Sequence, residues 1–189
     1  MARAPHADGR AAPAYAGGFS LFPESDPAVP HEPRLTLALR ALLHSRRLAA
    51  LGTLGADGAP FVSMVPYAIE AGLGSLVIHV SELAAHTANL RARPEVSVLV
   101  MAAEAEDAPV HALPRVTLDG RARLLEAGTS AWNACRAAYV GRFPEAQFMT
   151  ALGDFHLVAI ELHGARQIAG FGAARSVDAQ ELRQALGAA

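Results

Sequence analysis

The alternation of apolar and polar positions predicts a chain built mainly of short strands. Residues of high strand propensity are bounded by Gly, Pro and Asp, and an Asp57-Gly58 pair marks a hairpin between the first two strands. Two further strands are expected to share a tight turn at His163-Gly164. The predicted strands span residues 48–54, 59–67, 75–80, 95–101, 114–125, 154–163 and 165–171.

Four helices are predicted between and around these strands. Leucines at helical spacing indicate a first amphipathic helix from Arg34 to about Ser45. Ser81 is placed to cap a second helix, and Asp178 with Glu181 has the spacing of a capping box for the last one. The remaining predicted helices span residues 82–93, 130–142 and 178–186.

The strand predicted over residues 114–125 has one apolar face and one polar face. Its apolar positions are Val116, Leu118, Gly120, Ala122 and Leu124. Its polar positions are Arg115, Thr117, Asp119, Arg121 and Arg123. Because side chains alternate along a strand, the polar set faces water, a ligand or a partner.

This order of elements favours a mainly β fold. Antiparallel neighbours joined by short turns, with helices inserted between pairs, are typical of a small barrel and not of a doubly wound parallel sheet. A glycine-rich dinucleotide motif opening a helix is absent from the sequence. Residues 1–33 are rich in Ala, Pro and Gly and are predicted to be a flexible tail, whereas residues 34–189 are predicted to form one domain.

Composition narrows the possible partners. Apolar residues make up 52% of the 189-residue chain and charged residues only 18%, which predicts a large buried or subunit-facing surface and therefore a homodimer. A net charge of −2 favours neither nucleic acid nor an anionic membrane. A single cysteine, Cys135, fits a cytoplasmic protein, and the histidine spacing predicts no metal site.

The junction after the third strand is the best candidate for chemistry. His79-Val80-Ser81 runs into a helix whose first turns carry His86, Thr87 and Asn89. Free backbone N–H groups and hydroxyl donors at such a junction suit a phosphate. The alternative from local spacing is that Ser81 only caps the helix. The sequence shows no catalytic acid, base or nucleophile motif, so the catalytic residues are left unknown.

The order of motifs resembles the FMN-binding split barrels of the pyridoxamine-phosphate-oxidase-like superfamily. The resemblance is carried by residues 52–54, 60–67 and 79–90, and its haem-utilisation branch is resembled most at 114–120, Asp154-Phe155 and 169–173. It implies a homodimeric split barrel of about six or seven mostly antiparallel strands, with the cofactor at the subunit interface. By resemblance, the cofactor-binding residues are Ser63, Met64, Val65, Ser81, His86, Thr87, Asn89, Arg115, Gly170 and Phe171.

Three functions follow as hypotheses. The first is an FMN-dependent oxidoreductase acting on a small molecule, in which the flavin supplies the redox chemistry. The alternative is a haem-binding or haem-utilisation protein, a carrier or a degrading enzyme, that uses the same barrel. The third is a barrel that keeps its dimer and binds no cofactor. Many members of the superfamily have Lys where this chain has His86, so phosphate binding is expected to depend on pH.

Overall fold

The structure, a computed structural model, describes residues 33–106 and 109–187, so the predicted tail of residues 1–33 lies outside the described residues except for Pro33. The helices are α1 Arg34–Ser45, α2 Ala85–Ala92, α3 Ser130–Arg142 and α4 Ala179–Leu186, with 3-10 turns at Val110–Ala112, Pro144–Ala146 and Met149–Ala151. The strands are β1 Leu48–Leu54, β2 Pro60–Glu70, β3 Ser75–Ser81, β4 Glu95–Met101, β5 Arg115–Leu124, β6 Phe155–Ile168 and β7 Ala174–Asp178. Among the described residues, none of the helices is long and apolar enough to cross a membrane.

Six of the strands close into a barrel. They follow the order β3-β2-β1-β4-β5-β6, and β6 pairs back onto β3, with every pairing antiparallel. The seventh strand, β7, extends the sheet beyond the second half of β6. The prediction of a mainly β barrel with peripheral helices is therefore confirmed.

The core has two parts. Inside the barrel, alternate residues of the strands pack with Leu39 and Leu43 of α1 and Leu182 and Leu186 of α4, so these two helices close the barrel interior. A second cluster lies under α3, where Cys135 and its neighbours cover the outward side chains of β3 and β6. The outside of the barrel is thus covered by α3 at β3 and β6.

The strand predicted with two faces is confirmed. Along β5 the predicted apolar positions from Val116 to Ala122 are buried and Leu124 is half-buried, whereas Asp119, Arg121 and Arg123 are exposed. The Asp57-Gly58 hairpin is also confirmed. Gly58 has a φ of 85°, and the amide of Gly55 donates to the carbonyl of Ala59 at 2.8 Å.

The predicted turn at His163-Gly164 is wrong, because both residues lie inside the single long strand β6. Asp119 pairs with Gly164 but the next residue, Gly120, pairs with Leu162, which leaves His163 as the extra residue of a β-bulge. A Cβ at Gly120 would lie 2.5 Å from the carbonyl oxygen of Glu161, so only glycine fits opposite the bulge. The bulge reverses which alternate residues of β6 face inward.

The last hairpin turn lies later in the chain than predicted. Residues 169–171 were predicted as the end of a strand, but they belong to the turn between β6 and β7, and β7 itself was not predicted. In this turn the amide of Ala169 donates to the carbonyl of Ala173 at 2.9 Å, and Gly170 and Gly172 have φ of 152° and 74°. The predicted cap of α4 is confirmed, since Asp178 accepts from the amide of Glu181 at 2.9 Å.

Candidate functional site

One edge of β2 has no strand beside it in the described chain. β2 pairs with β1 over residues 60–66, but it pairs with β3 only over Tyr67–Glu70. Between the two diverging strands lies α2. We call this opening, bounded by residues 60–66 of β2 and by α2, the split. Backbone N–H and C=O groups at an unpaired edge are free to bind a ligand.

Ser63 and His86, predicted separately as cofactor-binding residues, meet across the split. The Ser63 hydroxyl and Nδ1 of His86 lie 3.0 Å apart. Burial lowers the pKa of the imidazole below its usual value. His86 is therefore neutral at pH 7, and it brings a hydrogen-bonding nitrogen and not a positive charge to the split.

Asn89 ties α2 to the strands on the other side of the split. Its side-chain amide donates to the Thr53 hydroxyl at 3.0 Å, and that hydroxyl donates to the Phe61 carbonyl at 3.4 Å. Thr53 is buried, so the bond is shielded from water. In this structure Asn89 acts first as an anchor for the helix.

Ser81 is not the N-cap of α2, and that prediction is wrong. Ser81 still belongs to β3, where it pairs with Phe155, and α2 begins only at Ala85 after an intervening turn. The Ser81 hydroxyl accepts from the amide of Leu83 at 3.2 Å, inside this turn. Thr87 is fully buried and donates its hydroxyl to the Ser81 carbonyl at 2.6 Å, which holds the turn against the helix.

The arginines around α2 already have partners. Arg91 makes a bidentate ion pair with Glu82, which His156 also contacts. These contacts, led by the hydrogen bonds from Arg91, lower the pKa of Glu82 to about 2. Arg93 donates to the Ala56 carbonyl at 3.2 Å. A phosphate placed at the split therefore meets a neutral imidazole and the ion-paired Arg91, while Arg93 has a carbonyl and no carboxylate as its partner in the described chain.

The outside of the barrel carries a second feature, which we call the open face: the outward residues of β1, β4 and β5, of residues 60–66 of β2, and of β6 after its bulge. Its apolar side chains are exposed, at 50% for Leu48, 66% for Val62, 64% for Met64 and 45% for Met101. They are neighbours, because Ala50 of β1 pairs with both Met64 and Leu99. Val65, in contrast, is buried in the core, so only its backbone is available to a ligand.

Arginines border this apolar patch. Arg115 pairs with Met101 on β4 and with Ile168 on β6, and Arg166 pairs with Thr117 two residues further along β5. Arg115 donates to the Leu113 carbonyl at 3.0 Å. Arg166 lies 3.5 Å from the Ser176 hydroxyl. Neither arginine forms an ion pair with a residue that the structure describes.

Gly170 and Phe171 lie at the end of the barrel where Arg115 is found, because Ile168 pairs with Arg115 and the hairpin turn follows it. Phe171 is 89% exposed. The predicted site residues thus divide into a group at the split (Ser63, Ser81, His86, Thr87 and Asn89) and a group on or beside the open face (Met64, Arg115, Gly170 and Phe171), with Val65 in the core.

Sequence reasoning missed most of the open face. Leu48, Val62 and Met101 were not singled out, and Arg166 was one of several arginines without a pattern. The strand pairing alone brings them together, since Arg166 lies far from Arg115 in the chain. Within residues 33–106 and 109–187, no three His, Cys, Asp or Glu side chains are arranged to hold a metal ion.

Comparison with known proteins relates the chain to one family. The family model described as pyridoxamine 5'-phosphate oxidase matches residues 35–169. Heme oxygenase HutZ of Vibrio cholerae is 29% identical over 79% of this chain and 84% of its own length. The chloroplastic heme oxygenase HOZ of Arabidopsis thaliana is 35% identical over 70% of this chain, which spans only 39% of that protein.

A solved structure of a heme binding protein is also similar to this chain. The heme binding protein from Mycobacterium smegmatis superposes with a TM-score of 0.73 at 28% identity, over 82% of this chain and 62% of that one. The chain therefore spans less than two thirds of two of these three relatives, the proteins from Arabidopsis and Mycobacterium.

Proposed function

The chain belongs to the pyridoxamine 5'-phosphate oxidase family, and from its named relatives we propose that it is a haem-binding protein of haem utilisation. The relatives named above are a heme oxygenase of a bacterium, a heme oxygenase of a chloroplast and a heme binding protein. They favour haem over the FMN oxidoreductase that was our first hypothesis.

The observation that carries the proposal is the apolar patch of the open face. Haem is a flat, largely apolar molecule with two carboxylates at one edge. The patch of Leu48, Val62, Met64 and Met101 is exposed and adjoins Arg115, so it offers apolar contact and positive charge side by side. The residues present therefore fit the group. When bound, haem supplies a redox-active iron, while the protein supplies contact, orientation and charge.

We propose further that two copies of the chain pair through the open face, with the cofactor between them. An apolar patch of this kind on a chain with few charges is typical of a subunit interface. Residues from both subunits then exclude water from the ligand.

A titration with hemin tests the proposal. We expect a Soret band that saturates at one hemin per chain. The variant Met64→Glu places a negative charge in the patch, and we expect it to weaken hemin binding at least about tenfold, because a carboxylate under the macrocycle must be desolvated and apolar contact is lost. Phe148→Glu is the matched control, since Phe148 is equally exposed, at 68%, but lies near α3.

Two results would count against haem. One is a spectral change that never saturates, and the other is an equal loss of affinity in Met64→Glu and Phe148→Glu. For a saturable complex, addition of a mild reductant in air distinguishes the two roles. Loss of the Soret band with product formation identifies degradation, and a stable band identifies a carrier.

The split supports FMN as a second candidate function. Its unpaired β2 edge offers backbone donors and acceptors to a flavin ring, and Ser63 with His86 offers hydrogen bonds to the phosphate or ribityl chain. Fluorescence quenching in an FMN titration tests this candidate, and Ser63→Ala is expected to weaken FMN binding without affecting hemin. An FMN affinity unchanged by Ser63→Ala removes the split from the flavin site.

A further inference from the structure

We propose that Arg115 and Arg166 together form a site on the open face that binds two carboxylates of a ligand. This protein then recognises a tetrapyrrole by the two carboxylates at its edge and not by its iron. The inference rests on the proposed haem function and deepens it. Its consequence is a wider ligand class: tetrapyrroles that carry two neighbouring carboxylates are bound whether or not they contain iron.

The position of the two arginines supports the pair. Arg115 lies opposite Ile168, and Arg166 lies two residues before Ile168 on the same strand. Arg166 points outward, since its neighbours Ala165 and Gln167 are buried, and Arg115 points to the same side, opposite to the buried Val116 that follows it. Diagonal neighbours of this kind are about 7–8 Å apart. Two long arginine side chains that start from positions at that spacing can each meet one of two carboxylates on adjacent pyrrole rings.

The charge environment separates this pair from the other arginines of β5. Arg121 makes an ion pair with Glu95, and Arg123 lies 3.5 Å from Glu161. Arg115 and Arg166 contact a carbonyl and a hydroxyl oxygen instead. Within the described chain neither makes an ion pair with a carboxylate, and the nearby Asp119 accepts from the Ser97 hydroxyl at 3.3 Å. A guanidinium in that state suits bidentate binding of a carboxylate from outside.

The apolar patch begins directly beside the pair. Met101 is opposite Arg115, and Leu99 is opposite Thr117, which lies between the two arginines. From β5 the patch continues over β4 and β1 to Met64 on β2. With strands about 4.8 Å apart, these four strands span about 14 Å. A macrocycle can therefore lie on the patch while its carboxylate edge meets the arginines.

The test compares two double variants with three ligands. Arg115→Gln/Arg166→Gln removes the pair, and Arg121→Gln/Arg123→Gln removes the same charge from the same strand face. Hemin, iron-free protoporphyrin IX and protoporphyrin IX dimethyl ester are titrated into each, with porphyrin fluorescence or the Soret band as the readout. The ester keeps the macrocycle and lacks both carboxylates.

We expect the wild type to bind hemin and iron-free protoporphyrin with affinities within about tenfold of each other. The Arg115/Arg166 variant should weaken both by about 10–100-fold, because two charge-assisted contacts are lost. The Arg121/Arg123 variant should change them by about twofold or less, since exposed ion pairs contribute little. The ester should bind the wild type and the Arg115/Arg166 variant equally weakly.

Several results would overturn the paired site: equal affinities in the two double variants, binding of hemin but not of protoporphyrin by the wild type, or a change from dimer to monomer in the Arg115/Arg166 variant alone. The last result would mean that the arginines hold the partner subunit. If the wild type binds protoporphyrin but not hemin, the carboxylate site stands and the haem function fails. If it binds neither, both fail.

Discussion

A single charge at Met64, on the β2 side of the open face, is expected to separate the proposed dimer. Leu48, Val62, Met64 and Met101 each expose roughly half to two thirds of their surface. Burying such a side chain completely is worth about 1.5–3 kcal/mol. Burying the exposed parts of all four thus contributes about 3–7 kcal/mol in each subunit, and about twice that in a two-fold dimer.

This gain is close to what association costs. The loss of translational and rotational freedom is estimated at about 4–15 kcal/mol, so the dimer depends on each side chain of the patch. Met64→Glu removes about 1 kcal/mol of apolar burial per subunit and adds the cost of desolvating a carboxylate. Because the substitution occurs twice at a two-fold interface, we expect the dimer to weaken by at least about 4 kcal/mol, or roughly a thousandfold.

Sedimentation velocity over a wide dilution series measures this effect. We expect a dimer for the wild type and for Phe148→Glu, and a monomer for Met64→Glu at the same concentrations. Circular dichroism confirms that the variant is folded, as the exposed position of Met64 leads us to expect. A wild type that is monomeric throughout, or a Met64→Glu protein that stays dimeric, would show that the open face is not the subunit interface.

Two further predictions concern histidines. His86→Lys places a permanent positive charge beside Ser63, and we expect this variant to bind FMN about tenfold more tightly. Fluorescence quenching measures the affinity, and an unchanged affinity would exclude a phosphate at the split. His79 has a pKa lowered from 6.5 by burial and by the nearby His156, so below pH 6.5 the unfolded chain binds more protons and the free energy of unfolding falls as the pH falls. His79→Phe keeps the stack on Phe155, and it should reduce the fall in the free energy of unfolding that denaturant titrations measure between about pH 7 and pH 5. An unchanged pH dependence would assign that fall to other groups.

Local patterns were enough to predict most of the elements. α1, α3, β1 and β4 begin and end where the sequence predicted, because turns or prolines such as Pro94 and Pro144 interrupt the periodic segments. The two faces of β5 were readable for the same reason, since alternation is a property of the strand itself.

The bulge in β6 could not be predicted in this way. A glycine inside a strand pattern indicates either a turn or a bulge, and His163-Gly164 was interpreted as a turn. The decision depends on the partner strand, where Gly120 lies too close to the Glu161 carbonyl for any side chain. Ser81 shows the same limit. It has the residue type of an N-cap, but its pairing with Phe155 keeps it in β3.

The residues of the candidate site also differ in whether the sequence alone could bring them together. The resemblance predicted Ser63 and His86 as members of one site, and the structure places them 3.0 Å apart. That Arg115 and Arg166 lie diagonally beside each other depends on the register between β5 and β6. This register includes the bulge at Gly120 and is not encoded in either strand alone. A local reading of the sequence therefore finds the arginines but not the pair.

The distribution of charge over the barrel gives a physical reason to prefer haem. FMN and haem are both flat anions, but FMN carries its charge on one phosphate and haem carries it on two carboxylates at one edge. At the split the imidazole of His86 is neutral, and Arg91 is held by Glu82. On the open face, Arg115 and Arg166 have no carboxylate partner in the described chain. Two arginines without a carboxylate partner, beside an exposed apolar patch, suit a flat ligand with two carboxylates at one edge, and for that reason we expect hemin to bind more tightly than FMN.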